Sequence, residues 1–351
     1  MLRELNSDSS AGRMEAPAGR ARCDSEANKL EVGAVDGDRR DSNMTGSLDA
    51  PRPDVSVAIV HFETPDYLVQ CLKALSISIG AEALEVFVVD NASRSFDAAN
   101  ASDAFPGVRI ICNRTNVGFA RATNQALRQA RGRFVLLLNP DAFVAPESIA
   151  LMTAYLDAHP EVGCVTCRLE LENGRLDLAC RRLFPTPSRS LYRMTLLSKI
   201  LPRNRRLGQY NLTYLDEWEE TEIDQPCGAF MLVRAEILDE VGYLDERYFL
   251  YFEDTDWAYR IKKAGWQIWY VPTTTVRHIK RASTRKNRQK TIRYFHQSMR
   301  IFYRQHYEHI YPWWVNVTVL AAIGVRERME LTGESATRLR RRVARRLRPS
   351  T

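Results

Sequence analysis

From residue 55 onward, apolar positions fall into short runs divided by polar turns. Residues 55–62 make a near-continuous apolar run of strand length. Pro65 and Asp66 then open 67–79, where Leu68, Cys71, Leu72 and Leu75 recur at helical spacing. Residues 86–89 predict a second strand, closed by Asp90-Asn91, and 108–112 a third. A helix over 124–130 ends near Gly132; the strand 134–138 is closed by Asn139-Pro140-Asp141. A helix over 146–159 and a β-like run over 162–171 follow. This alternation predicts an α/β fold with a mostly parallel central sheet flanked by helices. Such sheets bind ligands at the carboxyl ends of their strands, where Asp90 and Asp141 fall.

Periodicity then weakens. Residues 181–224, with many Arg and Pro, read as a long insertion. A strand over 227–233 resumes the order, and helical patterns over 235–241 and 254–264 flank the aromatic run 248–252. A last strand covers 267–271, followed by Val276-Arg277-His278. Residues 1–53 have almost no aromatic or β-branched side chains, and too little apolar surface to offset ordering entropy predicts disorder. They hold no apolar core of a secretory signal. Residues 310–325 are uncharged for 16 positions, short of the ~20 that a spanning helix needs.

The chain has 351 residues, 45% hydrophobic and 26% charged, which excludes collagen-like, mucin-like and wholly disordered classes. Its net charge of +7 is unevenly spread. From residue 277 onward the balance is +15, leaving −8 on the body. A basic tail of this kind suits nucleic acid or an anionic membrane surface. Seven cysteines, an odd count, show no secreted disulfide framework, so a reducing cytosol is expected. Cys164 and Cys167 lie inside a β-like run and read as buried thiols.

Several carboxylates can carry chemistry. Asp90 with Asn91 reads equally as a self-bonded turn or as an acceptor pair facing a ligand. Asp141, stiffened by Pro140, suits a hard cation such as Mg²⁺ or Mn²⁺. Glu253-Asp254-x-Asp256 is either a dipole-favoured helix start or the seat of a general base. His278 becomes a ligand candidate if its strand ends beside that of Asp141.

These blocks, taken in order, resemble a known family. Val57-Ala58-Ile59-Val60-His61, Val88-Val89-Asp90-Asn91-Ala92-Ser93, Asn116-Val117-Gly118-Phe119-Ala120 and Leu138-Asn139-Pro140-Asp141 are similar to the nucleotide-binding half of family 2 glycosyltransferases, which have the GT-A fold. Gly228-Ala229-Phe230-Met231-Leu232-Val233-Arg234, Val241 to Phe249 and Glu253-Asp254-Thr255-Asp256 resemble the acceptor half. The rhamnosyltransferase-like branch is the most similar. The resemblance covers about 55–307, so the chain is expected to divide into the disordered segment over 1–53, a GT-A domain over 54–309 and a basic amphipathic tail over 310–351. Within the domain, 54–160 would be the nucleotide-binding half and 161–309 the acceptor half.

The resemblance also implies roles. Asp90, Asn91, Gly118, Asn124 and Asn139 would line the donor site. Asp141 would be the sole carboxylate of the metal motif, with His278 able to join the divalent cation. Asp254 matches the catalytic base; Gly228, Ala229, Glu253 and Asp256 would shape the sugar or acceptor pocket. Arg121 reads as pointing to solvent. The implied activity is inverting transfer of a sugar, rhamnose first, from dTDP-rhamnose or a UDP-sugar to a lipid-linked or glycan acceptor. The implied setting is the cytoplasmic face of a bacterial membrane, met peripherally through the tail. A nucleotide-sugar-binding module without catalysis is the alternative, weakened by the presence of both Asp141 and Asp254. Nucleic-acid binding through the tail is another, weakened because the informative blocks lie in the acidic body.

Overall fold

The computed structural model describes residues 52–195, 197–280 and 288–346, with side chains except at 194 and 338–346. These residues fall in one compact unit. The expected disorder over 1–53 lies outside them except for its last two positions.

The strands are β1 (Val55–His61), β2 (Leu84–Asp90), β3 (Arg109–Cys112), β4 (Phe134–Leu138), β5 (Ala142–Phe143), β6 (Val162–Glu170), β7 (Thr221–Glu222), β8 (Phe230–Arg234) and β9 (Gln267–His278). The helices are α1 (Pro65–Ser76), α2 (Ala98–Ala104), α3 (Phe119–Leu127), α4 (Ser148–Ala158), α5 (Pro187–Met194), α6 (Leu197–Ile200), α7 (Glu236–Glu240), α8 (Glu253–Lys263), α9 (Arg288–His306) and α10 (Trp313–Arg346). One sheet runs β3-β2-β1-β4-β8-β6-β9-β5, with β7 on β9. The first four strands are parallel to their neighbours, as expected. Past β4 the sheet is mixed: only β6 and β9 pair in parallel, while β4–β8, β6–β8, β5–β9 and β7–β9 are antiparallel.

Local chemistry explains these elements. All seven residues of β1 are buried, which suits a strand covered on both faces. Proline at the first turn starts α1, and its Leu68, Cys71, Leu72 and Leu75 face the core. Burying each such leucine contributes about 1.5–3 kcal/mol. Cys164 and Cys167 are buried free thiols within β6, and burial pushes both upward in pKa.

Two elements differ from the sequence pattern in ways that matter for the site. Helix α3 begins at Phe119, five residues before the predicted start, because Gly118 breaks the chain at φ 90° without a side-chain cap. Strand β9 runs seven residues past the predicted end. Its Pro272 and the shift in register between Thr166/Tyr270 and Arg168/Thr275 mark a bulge, beyond which pairing with β6 resumes. This extension carries His278 to a pairing with Ala142, next to Asp141.

The tail is helical, as expected, and packs on α9. Arg288 pairs with Glu334 at 2.9 Å, and the Tyr303 hydroxyl donates to Asn316 Oδ1 at 2.7 Å. Buried Tyr248, Phe302, Tyr303 and Tyr307 form a second apolar cluster, which joins the segment before α8 to these two helices. No helix among the described residues is long and apolar enough to cross a membrane.

Candidate active site

The carboxyl edge of β1, β2 and β4 gathers the first group. His61 and Asp90 are register partners at the ends of β1 and β2. Thr64 N donates to His61 Nε2 at 3.1 Å, so Nδ1 carries the proton that meets Asp90 Oδ1 at 2.9 Å. Ser93 N donates to Asp90 Oδ2 at 3.1 Å. The self-bonded turn is therefore present, with His61 as an added brace.

Two predicted donor contacts are instead structural braces. Asn91 Nδ2 donates to Asn116 Oδ1 and Gly118 O, both at 3.1 Å, and its Oδ1 accepts from Val117 N and Asn113 Nδ2. Two donor hydrogens and two acceptor lone pairs exhaust the amide, so it shapes the 113–118 loop rather than facing a ligand. Buried Asn124 likewise donates to Leu244 O at 2.8 Å and to Glu246 Oε1, and accepts from Leu244 N. It ties α3 to the segment before α8. Gly118 permits close approach: a Cβ there would lie 2.7 Å from Phe249 O. Arg121 is 62% exposed beside Glu246, which fits its solvent reading. The side chain of half-buried Asn139 has no hydrogen-bond partner among the described residues and stays open to a ligand.

The β4–β8 junction brings the two halves together. Asn139 N donates to the carbonyl of Ala229 at 3.2 Å. Ala229 is 2% exposed, so it packs in the core and does not line a pocket. Its neighbour Gly228 is more open, the nearest atoms to a Cβ there being 3.9 Å away on Asp254 and Phe119. Gly228 N donates to Asp254 Oδ2 at 3.2 Å. Arg182 Nη2 reaches the same oxygen at 3.3 Å. Thr255 N and Oγ1 hold Oδ1 at 2.7 and 3.2 Å. Asp254 is 14% exposed. Tyr251 and Phe252 both adopt left-handed φ, 69° and 68°, just before α8. Such strain persists where surrounding structure enforces it, and it commonly marks functional loops.

The other carboxylates of the α8 start do different work. Asp256 is fully buried; His306 Nε2 meets it at 2.7 Å and Arg260 Nε at 2.9 Å. It anchors α9 to α8 and cannot touch an acceptor. Glu253 is buried too, with Oε2 lacking a partner. Burial first, and the neighbouring Asp254 charge second, push its carboxyl well above the usual range. The predicted pocket role of Asp256 is corrected accordingly.

Asp141 and His278 do meet. Their nearest atoms, Oδ1 and Nε2, are 3.6 Å apart, and both side chains are under 10% exposed. Behind His278 stands Asp177, absent from the sequence-based candidates, with Oδ2 3.0 Å from Nδ1. Burial alone would lower the imidazole, but Asp141 and Asp177 raise it to about 9. Burial would raise Asp177, yet His278 and Lys280 hold it well below the usual carboxylate range. Among the described residues, no three His, Cys, Asp or Glu side chains cluster as a complete metal cage. Asp141 and His278 are the two side chains here whose chemistry suits a hard divalent cation.

A parallel sheet with its donor edge at β1, β2 and β4, joined to a second half by β8, defines a GT-A glycosyltransferase. The family described as "Glycosyltransferase like family 2" matches residues 51–296, and the chain belongs to it. The chain is 27% identical over 300 residues to the N-acetylglucosaminyl-diphospho-decaprenol L-rhamnosyltransferase of Mycobacterium tuberculosis H37Rv, covering 82% of this chain and 95% of that relative. It is 26% identical over 247 residues to the rhamnosyltransferase WbbL of Escherichia coli K12, covering 68% and 89%. The mannosyltransferase PcManGT from Pyrobaculum calidifontis, solved with GDP-Man and Mn²⁺, shares the fold at TM-score 0.50 and 19% identity, over 81% of this chain and 74% of that one.

Proposed function

We propose that this glycosyltransferase transfers rhamnose, with inversion, from a nucleoside diphosphate donor to a lipid-linked glycan acceptor. The observation that carries this reading is the β4–β8 junction. There Asn139 N bonds Ala229 O while the preceding residue, Gly228, bonds Asp254. The metal-side corner and the candidate base thus share one sheet edge. Strands spaced about 4.8 Å apart put the end of β2, with Asp90, roughly 10 Å from the end of β4. That span suits a nucleoside diphosphate laid along the edge.

Asp254 acts as general base, taking the acceptor hydroxyl's proton as the oxygen attacks the anomeric carbon. A single base opposite the leaving group requires one in-line displacement, hence inversion. Gly228 N, Arg182 and Thr255 orient the carboxylate. Asp141 and His278 are the residues that would hold a divalent cation, whose chemistry is to offset charge developing on the leaving diphosphate. Asp90, through its remaining lone pairs, and the free Asn139 amide are the donor-side contacts. The rhamnosyl donor and lipid-linked acceptor follow from the names of the relatives. We assign 54–309 to the catalytic domain and 310–351 to an appendage.

That appendage meets an anionic membrane surface. Ile310, Trp313, Trp314, Val317, Val325 and Met329 are each more than half exposed on or beside α10. Their spacing repeats near each turn, and seven Arg follow within residues 338–348. Interfacial tryptophans ahead of a polybasic stretch favour lipid over a protein partner. An enzyme held at the inner face of the membrane then meets lipid-linked acceptors directly.

A thermal-shift panel of nucleotide-sugars tests the donor assignment. dTDP-rhamnose should raise the melting temperature more than UDP- or GDP-sugars, and Mn²⁺ should enlarge the shift. A larger shift with another donor would overturn the rhamnosyl reading.

A further inference from the structure

We propose that Asp177 is the positioning residue that fixes His278 for metal binding. The inference rests on the reading of Asp141 and His278 as the cation's protein ligands. Asp177 is 1% exposed and reaches β9 from a tight hairpin after β6. In that hairpin Leu171 N bonds Arg175 O, and Asp177 N bonds Leu169 O. Strand β6 runs beside β9, with Leu169 opposite Val276, so the hairpin returns the carboxylate to the end of β9.

Three donors hold that carboxylate. Ala179 N lies 3.0 Å and Lys280 Nζ 2.6 Å from Oδ1, and His278 Nδ1 lies 3.0 Å from Oδ2. The carboxylate therefore cannot rotate without losing contacts on both oxygens. An imidazole that donates Nδ1–H to Asp177 presents Nε2 on its opposite side, and there Nε2 lies 3.6 Å from Asp141 Oδ1. That gap is too wide for a good hydrogen bond. Asp141 and His278 would instead be the side chains that hold a divalent cation there. Metal-binding histidines need this arrangement: a carboxylate on the far nitrogen sets the tautomer, locks the ring and strengthens the near nitrogen as a ligand. A mere counter-ion for Lys280 would need no contact with the imidazole.

Mn²⁺ binding to the purified full chain tests the assignment, read from the free-Mn²⁺ paramagnetic resonance signal with and without UDP as probe nucleotide. Asp177→Asn should weaken Mn²⁺ binding by about 10–100-fold, and Asp141→Ala and His278→Ala should also weaken it. Lys280→Met, which leaves Ala179 N on Oδ1 and the Asp177–His278 contact in place, should weaken Mn²⁺ binding less than Asp177→Asn does. Wild-type affinity in Asp177→Asn, with His278→Ala impaired, would overturn this inference alone. Unchanged binding in Asp141→Ala and His278→Ala would overturn the metal reading beneath it. Should Asp177→Asn not fold, the wild-type protein decides the matter through the long-range ¹H–¹⁵N spectrum of its histidine rings with Mg²⁺. A His278 ring protonated at Nδ1 and bare at Nε2 supports the assignment, and the opposite tautomer overturns it.

Discussion

Gly118 and Phe249, 131 positions apart in the chain, touch backbone to backbone. Phe119 N donates to Phe249 O at 2.7 Å, and a methyl group on Gly118 would meet that same oxygen at 2.7 Å. The donor half thereby fixes the segment that leads into Asp254. Gly118→Ala combines this clash with a strained φ of 90°, costing about 1–3 kcal/mol. It should also shift the base, and a displacement near 1 Å can lower turnover about 100-fold. Thermal melts and steady-state transfer rates check both outcomes, and a normal rate would separate Gly118 from the base.

Asp254 and Asp256 sit two residues apart and should respond oppositely. Asp256→Ala strips Arg260 and His306 of a buried partner, which should cost about 3–5 kcal/mol. Whatever folds should bind donor normally. Chemical denaturation beside a donor-binding titration checks this, and a stable but donor-blind variant would restore Asp256 to the substrate pocket.

The raised carboxyl of Glu253 makes stability depend on pH. Below the unfolded value near 4.5 the group is protonated in both states. As pH rises, the unfolded chain ionises while the buried group stays neutral, so the folded state loses ground. The slope is at most about 1.4 kcal/mol per pH unit. Glu253→Gln cannot ionise and should escape this loss, matching wild type near pH 4 and exceeding it at pH 7–8. Urea denaturation across that range is the measurement; parallel stability curves would mean Glu253 ionises freely.

The exposed tryptophans of α10 give a test of the membrane contact that leaves the fold intact. Trp313 and Trp314 are 76% and 58% exposed. Replacing both by Ser should change stability by no more than ~0.5 kcal/mol. Co-sedimentation with phosphatidylglycerol vesicles should fall several-fold. Undiminished binding would place the contact elsewhere.

Much of this was legible in the chain, though unevenly. Asp90 and Asp141 stand at sharp changes of hydrophobic period, so pattern alone located the edge of the sheet, whereas Asp254 was singled out by the family resemblance. The site's supports were hidden. Arg182 reaches Asp254 across 72 positions and Asp177 reaches His278 across 101, and no local pattern encodes such contacts. Asn91 and Asn124 stand in the right blocks, yet a sequence does not say whether an amide faces a ligand or a loop. The last strand continues past its predicted end at 271 because Pro272, which cannot donate to a ladder, sits in a bulge beyond which pairing resumes. The weak periodicity of 181–224 reflects polar and arginine contacts to backbone carbonyls, such as those of Arg181 with Leu215 and Asp216.

The base assignment is tested most directly by Asp254→Asn, measuring donor affinity and kcat for transfer on one preparation. The account predicts donor affinity close to wild type with kcat lowered by about 10²–10⁴-fold, the range for a lost general base. Wild-type turnover in this variant would contradict it.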